Sequence, residues 1–166
     1  MAAVMRDVAP EILLVQSPDD YMEDHQNSAR LAVTAAFCRG MPNYPTDPSR
    51  PAVETPVTVY HAQPHGNMDP LRREVQPDLF VDVSTVMNRK RDMLACHSSQ
   101  KEWLDRTQGM DSYLKTMEDL SRAVGTMSGS FACAEGWRRR LHFGFCAESA
   151  RPLETALAGH VKIVRR

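Results

Sequence analysis

An α/β fold built on a mostly parallel sheet is the class this sequence predicts, and three observations carry the prediction. Short apolar runs at 11–16, 57–61 and 80–83 alternate with stretches whose apolar residues recur at helical spacing. The first run, Ile12-Leu13-Leu14-Val15, is apolar at every position, the pattern of a strand covered on both faces of a parallel sheet. The composition, 42% hydrophobic and 25% charged over 166 residues, suits one globular domain spanning 1–166 with a modest core.

Taken in order, Pro10 and the Ser17-Pro18-Asp19-Asp20 turn bound the first strand. A helix then starts near Asp24, carries Ala29, Ala32, Val33, Ala36 and Phe37 at helical spacing, and closes at Gly40. Pro42, Pro45, Pro48, Pro51 and Pro56 make 41–56 a long irregular loop, a kind of segment that often carries function. Val57–His61 reads as the second strand and Phe80–Val83 as the third. Ser84 caps a helix running to about Leu104, with Val86, Lys90, Met93 and His97 along one side. A further helix spans Asp111 to Met127, with Tyr113, Met117, Leu120 and Val124 as its apolar stripe. Leu141-His142-Phe143-Gly144-Phe145 is expected as a last short strand. A strand buried on both faces needs neighbours, so these few strands predict an incomplete doubly wound sheet whose N-terminal strands and helices are missing.

Composition also excludes partners. A net charge of −1 supplies no long-range attraction for nucleic acid or an anionic membrane. No run of 18 apolar residues predicts a membrane span, and no basic segment followed by an apolar block marks a signal peptide. Cys38, Cys96, Cys133 and Cys146 are widely spaced with no C-x-x-C pair, which points to reduced thiols and a cytoplasmic location.

Asp19, Asp20, Glu23, Asp24 and His25 gather where the first strand gives way to the first long helix. Ligand sites in open α/β sheets form beyond the carboxyl ends of strands, and a helix N-terminus there adds free N–H groups. An imidazole beside carboxylates suits zinc, with a ring nitrogen ligating and a carboxylate fixing the tautomer. Asp20 or Asp24 is equally suited to capping the helix, and one carboxylate can cap while another ligates.

Ile12-Leu13-Leu14-Val15, then Asp20-Tyr21-Met22-Glu23-Asp24-His25, then Arg30-Leu31-Ala32 resembles the second metal motif of the PIG-L/LmbE-like zinc N-deacetylases. Pro77–Val83 with Lys90 and His97-Ser98-Ser99-Gln100 resembles a later strand–helix segment of that family, and Ala134-Glu135-Gly136-Trp137 its C-terminal element. The likeness covers about residues 10–145. It implies a Rossmann-like fold and a C-terminal portion of such a domain. It makes His25 a zinc ligand, Asp24 a catalytic support, and Tyr21, His97 and Glu135 candidates for contact with substrate. The family's first motif, which supplies two further ligands and the general base, is absent; Ser17-Pro18-Asp19-Asp20 only mimics it. Met22 stands where the family has an acid histidine, and a thioether neither carries charge nor donates a proton. His61, His65 and His97 are candidates for that role. His61 is favoured because it ends a strand, whereas His65, His142 and His160 read as satisfied or exposed side chains.

The resemblance therefore implies removal of an N-acetyl or other N-acyl group from a glucosamine-type conjugate by a zinc-bound water. With one credible ligand where catalytic zinc takes about three, the expectation is that the 166-residue chain alone holds zinc weakly and is inactive. The alternative is a non-catalytic remnant that binds a sugar conjugate or forms homo-oligomers through an exposed strand edge. A complete hydrolase drawing Asp19, Asp20, Asp24 and His25 from one short turn is the least favoured reading.

Overall fold

The computed structural model describes residues 1–109 and 111–164. Five strands, β1 (Ile12–Val15), β2 (Thr58–Ala62), β3 (Leu79–Asp82), β4 (Ala134–Arg139) and β5 (Val161–Ile163), form one sheet in the order β1-β2-β4-β3-β5. Six helices surround it: α1 (Ala2–Val8), α2 (Glu23–Cys38), α3 (Met87–Ala95), α4 (Ser98–Gln108), α5 (Ser112–Ser128) and α6 (Pro152–Ala156).

The α/β class holds, but the sheet is mixed rather than mostly parallel. Only β1 and β2 pair in parallel; β2–β4, β4–β3 and β3–β5 are antiparallel. The correction comes from β4, which lies between β2 and β3 and runs against both. Its sequence, Ala134-Glu135-Gly136-Trp137-Arg138-Arg139, has neither an apolar run nor a clean alternation. Pairing along both edges makes it a strand, not propensity. Gly136 sits there because a Cβ would lie 2.5 Å from Pro77 Cγ and 2.7 Å from Gln63 Cγ. The strand expected at Leu141–Phe145 is instead a turn, with the Phe145 N–H donating to His142 O at 2.9 Å.

The helix expected from Ser84 to Leu104 is broken. A 3₁₀ turn, Ser84–Val86, precedes α3, and the chain tightens again where the His97 N–H donates to Leu94 O at 3.2 Å. His97 then sits at the head of α4, exposed, rather than on the Met93 face of one long helix. Helix α1 had no sequence signal. It is tied down by Arg6, only 6% exposed, whose guanidinium donates to the carbonyls of Cys38, Arg39, Met41, Tyr44 and Arg50. Arg39 does the same at the end of α2, reaching the carbonyls of Ala36, Thr55, Gly144 and Phe145. These two buried arginines satisfy the carbonyls of the proline-rich segment that no regular ladder pairs.

Side chains alternate across the sheet. Val15, Val57 and Val59 face Met5 of α1 and Ala29, Ala35 and Ala36 of α2. Tyr60, Leu79 and Val81 face the other way, against Cys133 and Leu153. Phe80 and Ala134 pack under Val124 of α5. Covered on both sides, β2 is buried from Thr58 through His61. By contrast β1 is an edge strand, and Leu14 is 48% exposed. Among the described residues no helix is long and apolar enough to cross a membrane.

Candidate active site

The centre of the site is Asp20, at the carboxyl end of the parallel β1–β2 pair. The strand stops at Val15, and Ser17 folds the following turn by accepting the Asp19 N–H at 3.3 Å. Asp20 is 3% exposed and its carboxylate holds three donors. Oδ1 accepts the Met22 N–H at 3.1 Å, Oδ2 accepts the His65 N–H at 3.3 Å, and Oδ1 lies 3.0 Å from His25 Nδ1. Gln26 Nε2 donates to the Asp20 carbonyl oxygen. A buried carboxylate needs such partners, and here they join the strand–helix turn to the loop after β2.

The Asp20 contact sets the state of His25. A carboxylate accepts, so the ring proton lies on Nδ1 and the Nε2 lone pair is left for a ligand or a proton. The His25 side chain is 37% exposed. Tyr21, 62% exposed, stands beside it, with ring centroids 6.2 Å apart and planes at 85°. On its other side Tyr21 lies 5.5 Å from the His65 ring. His25, Tyr21 and His65 thus form an accessible aromatic row above a buried carboxylate.

Asp24 takes the capping part that the sequence left open to it. Its Oδ1 accepts the backbone N–H of His25 at 3.0 Å, satisfying a free donor in the first turn of α2. Orientation of the imidazole falls to Asp20. His61 lies beneath the turn and is 5% exposed. Its Nδ1–H donates to Gln16 O at 2.9 Å, and its Nε2 accepts from Arg140 at 3.3 Å. Burial, assisted by repulsion from Arg140 and Arg138, lowers its pKa from the usual 6.5. Such a ring is a neutral acceptor rather than a cationic acid. Glu135 accepts from Lys90 Nζ at 2.8 Å, bringing two positions of the sequence resemblance together, but not to His25. His97 likewise makes no hydrogen bond, ion pair or ring contact with the His25 group.

Two features of the site come from the fold rather than from local pattern. His65, one of the three acid candidates in the sequence, is exposed. Only the fold shows that Gly66, at φ 79°, turns the loop so that His65 meets Asp20 and Tyr21. Nothing local in the sequence sets Arg138 and Arg140 at the site, yet Arg138 donates to Ser17 Oγ at 2.7 Å and Arg140 reaches His61. Both follow from β4 being a strand. Zinc fits these residues only in part. His25 with Asp20 has the chemistry of one ligand and its orienting carboxylate. Among the described residues no group of three or more His, Cys, Asp or Glu side chains could hold a metal ion.

No protein-family model matches the chain. Its sequence is 32% identical over 102 residues to the 4-oxalmesaconate hydratase of Pseudomonas putida, an alignment covering 61% of this chain and 37% of the hydratase. In structure it is similar to the conserved protein TT1542 of Thermus thermophilus, with TM-score 0.64, 18% identity, and 90% of this chain and 60% of that chain covered. It is also similar to N,N'-diacetylchitobiose deacetylase of Pyrococcus horikoshii, with TM-score 0.62, 16% identity, and 84% and 49% of the two chains covered. Against GalB, the 4-carboxy-2-hydroxymuconate hydratase of P. putida, the TM-score is 0.54 at 26% identity, covering 84% of this chain and 56% of that one. The fold shared with these deacetylase and hydratase structures is LmbE/PIG-L-like. The chain spans 37% of the curated relative and 49–60% of the structures.

Proposed function

We propose that this chain carries one wall of a metal-dependent, hydrolase-like active site, with His25 as its metal ligand. The observation that carries the reading is the 3.0 Å contact of His25 Nδ1 with the buried Asp20 carboxylate, which presents Nε2 outward at the strand ends. The reaction in this reading is hydrolysis of an N-acetyl or N-acyl group on a glucosamine-type conjugate, and Tyr21 offers a face on which a sugar ring can stack. The bound metal would supply Lewis-acid polarisation of the carbonyl and an activated water. Protonation of the leaving amine passes from the buried His61 to the accessible His65, because an acid must reach the departing nitrogen. The remaining donors come from outside residues 1–166, as part of a larger Rossmann-like sheet continuing past β1. Four free cysteines fit a reducing cytoplasm.

A second reading, hydration of an unsaturated carboxylated substrate, is supported by the greater likeness to P. putida hydratase, 32% in the sequence match and 26% in the structural match, than to the deacetylase at 16%. Zinc titration followed by calorimetry and inductively coupled plasma mass spectrometry tests the shared core of both. We expect one weakly held zinc per chain, lost in His25→Ala, and no deacetylation of N-acetylglucosamine conjugates by residues 1–166. One tightly held zinc that survives His25→Ala would sink the assignment and leave a non-catalytic binding protein. If a chain completed with the missing donors hydrates a carboxylated alkene and leaves N-acetyl conjugates intact, the second reading replaces the first.

A further inference from the structure

Two cavities meet on the flank of α2 that faces away from Asp24. One, of about 390 Å³, is lined by Gln26, Asn27, Arg30 and Thr34 of α2, by His61 of β2 and by Arg140, just past β4. The other, of about 380 Å³, is walled by Phe37, Leu141, Phe143 and Phe145. Val33, Thr34 and Arg140 line both, so the two adjoin. Neither lining contains an Asp or Glu, although the chain has 21 acidic residues. Arg30 and Arg140 take part in none of the ion pairs among the described residues.

The Arg140 guanidinium is positioned rather than free. Nη1 donates to His61 Nε2 at 3.3 Å, and the guanidinium carbon lies 5.9 Å from the centre of the Phe145 ring. His61 is locked by its own bond to Gln16 O and accepts from Arg140, so it orients the guanidinium and brings no negative charge to it. An apolar wall completes the arrangement, with Phe143 67% exposed and Leu141 65% exposed. A fixed, unneutralised guanidinium fork beside exposed aromatic rings matches a planar anion carrying an apolar body.

We propose that these adjoining cavities form a binding site for a small aryl or alkyl carboxylate, whose carboxylate pairs with Arg140 and Arg30 and whose apolar part lies on Phe37 and Phe143. The site stands beside the His25 group and does not depend on its metal. Phenylacetate is the probe, titrated into the full chain by calorimetry and by ¹⁵N-resolved NMR. Saturable binding is expected, with shifted resonances at Thr34, Arg140 and Phe143. Loss of the charge in Arg140→Gln or in the exposed Arg30→Gln should weaken it roughly tenfold. Phe143→Ser, phenylacetamide (the neutral isostere) and acetate (the anion without the ring) should each bind distinctly less well. His25→Ala should leave phenylacetate binding unchanged, which separates this site from the proposed metal site. Binding of phenylacetamide equal to that of phenylacetate would overturn the proposal. So would full affinity in a folded Arg140→Gln or Arg30→Gln chain, or no saturation by about 20 mM probe.

Discussion

At the scale of single residues, Asp20 carries the most consequence. Removing a buried acceptor that serves three donors leaves all three unpaired, and each such loss costs about 1–3 kcal/mol. Asp20→Ala should lower the urea stability of the chain by about 3 kcal/mol and free the His25 ring, read as altered His25 side-chain NMR shifts. Arg6→Ala should cost a similar amount, because five carbonyls lose their donor at once. His61 makes stability depend on pH. Its folded pKa lies below the ordinary 6.5, so the unfolded chain takes up the proton first as pH falls. The contribution of neutral His61 is complete above that value and is lost as pH falls through the folded pKa. Urea midpoints measured downward from neutral pH should decline less steeply in His61→Gln; an unchanged decline would remove His61 as the cause. Little of this was legible in advance. The polar cluster at 19–25 stands out by composition, but its partner His65, and Arg138 that bonds the preceding Ser17, lie far off in sequence, and only the fold brings them near.

At the scale of elements, those that follow local rules were legible. Helices α2 and α5 and strands β1, β2 and β3 fall within a residue or two of expectation, although of the stripe expected on α5 only Val124 is buried, the packed face being Leu114, Ser121, Val124, Gly125 and Ser128. Elements made by tertiary pairing were not. Strand β4 mixes charge with Gly136, and α1 is held by a buried arginine rather than by an apolar stripe. Close backbone approach sets another limit on local rules. Gly125 lies inside α5, where propensity alone favours alanine by up to about 1 kcal/mol. A Cβ there would lie 2.6 Å from Ala132 O and 2.8 Å from Phe131 O, both backbone atoms that cannot step aside. Gly125→Ala should therefore destabilise by about 2 kcal/mol, measured by thermal or urea unfolding, despite its better propensity.

At the scale of the whole molecule, the exposed edge of β1 predicts association. Leu14 is 48% exposed, and β1 pairs only with β2 among the described residues. Unpaired N–H and C=O groups beside an apolar side chain invite a second strand. Sedimentation velocity at about 100 µM should show self-association, and Leu14→Lys should shift the population toward monomer. A clean monomer in the parent chain would count against this edge as an interface. The α/β class was legible because strands and helices alternate. The strand order was not, since nothing local announces that residues 134–139 enter between residues 58–62 and 79–82.

That order constrains the time course of folding. As the chain leaves the ribosome, β2 and β3 are available long before their shared neighbour. They cannot satisfy each other, because the place between them belongs to a segment made some fifty residues after β3. Until β4 arrives, a nascent chain holds two parallel pieces with open inner edges, and closure waits on a contact of long sequence separation. Synthesis that pauses within α5 would leave both edges bare, and during that interval the protein is most exposed to misassembly.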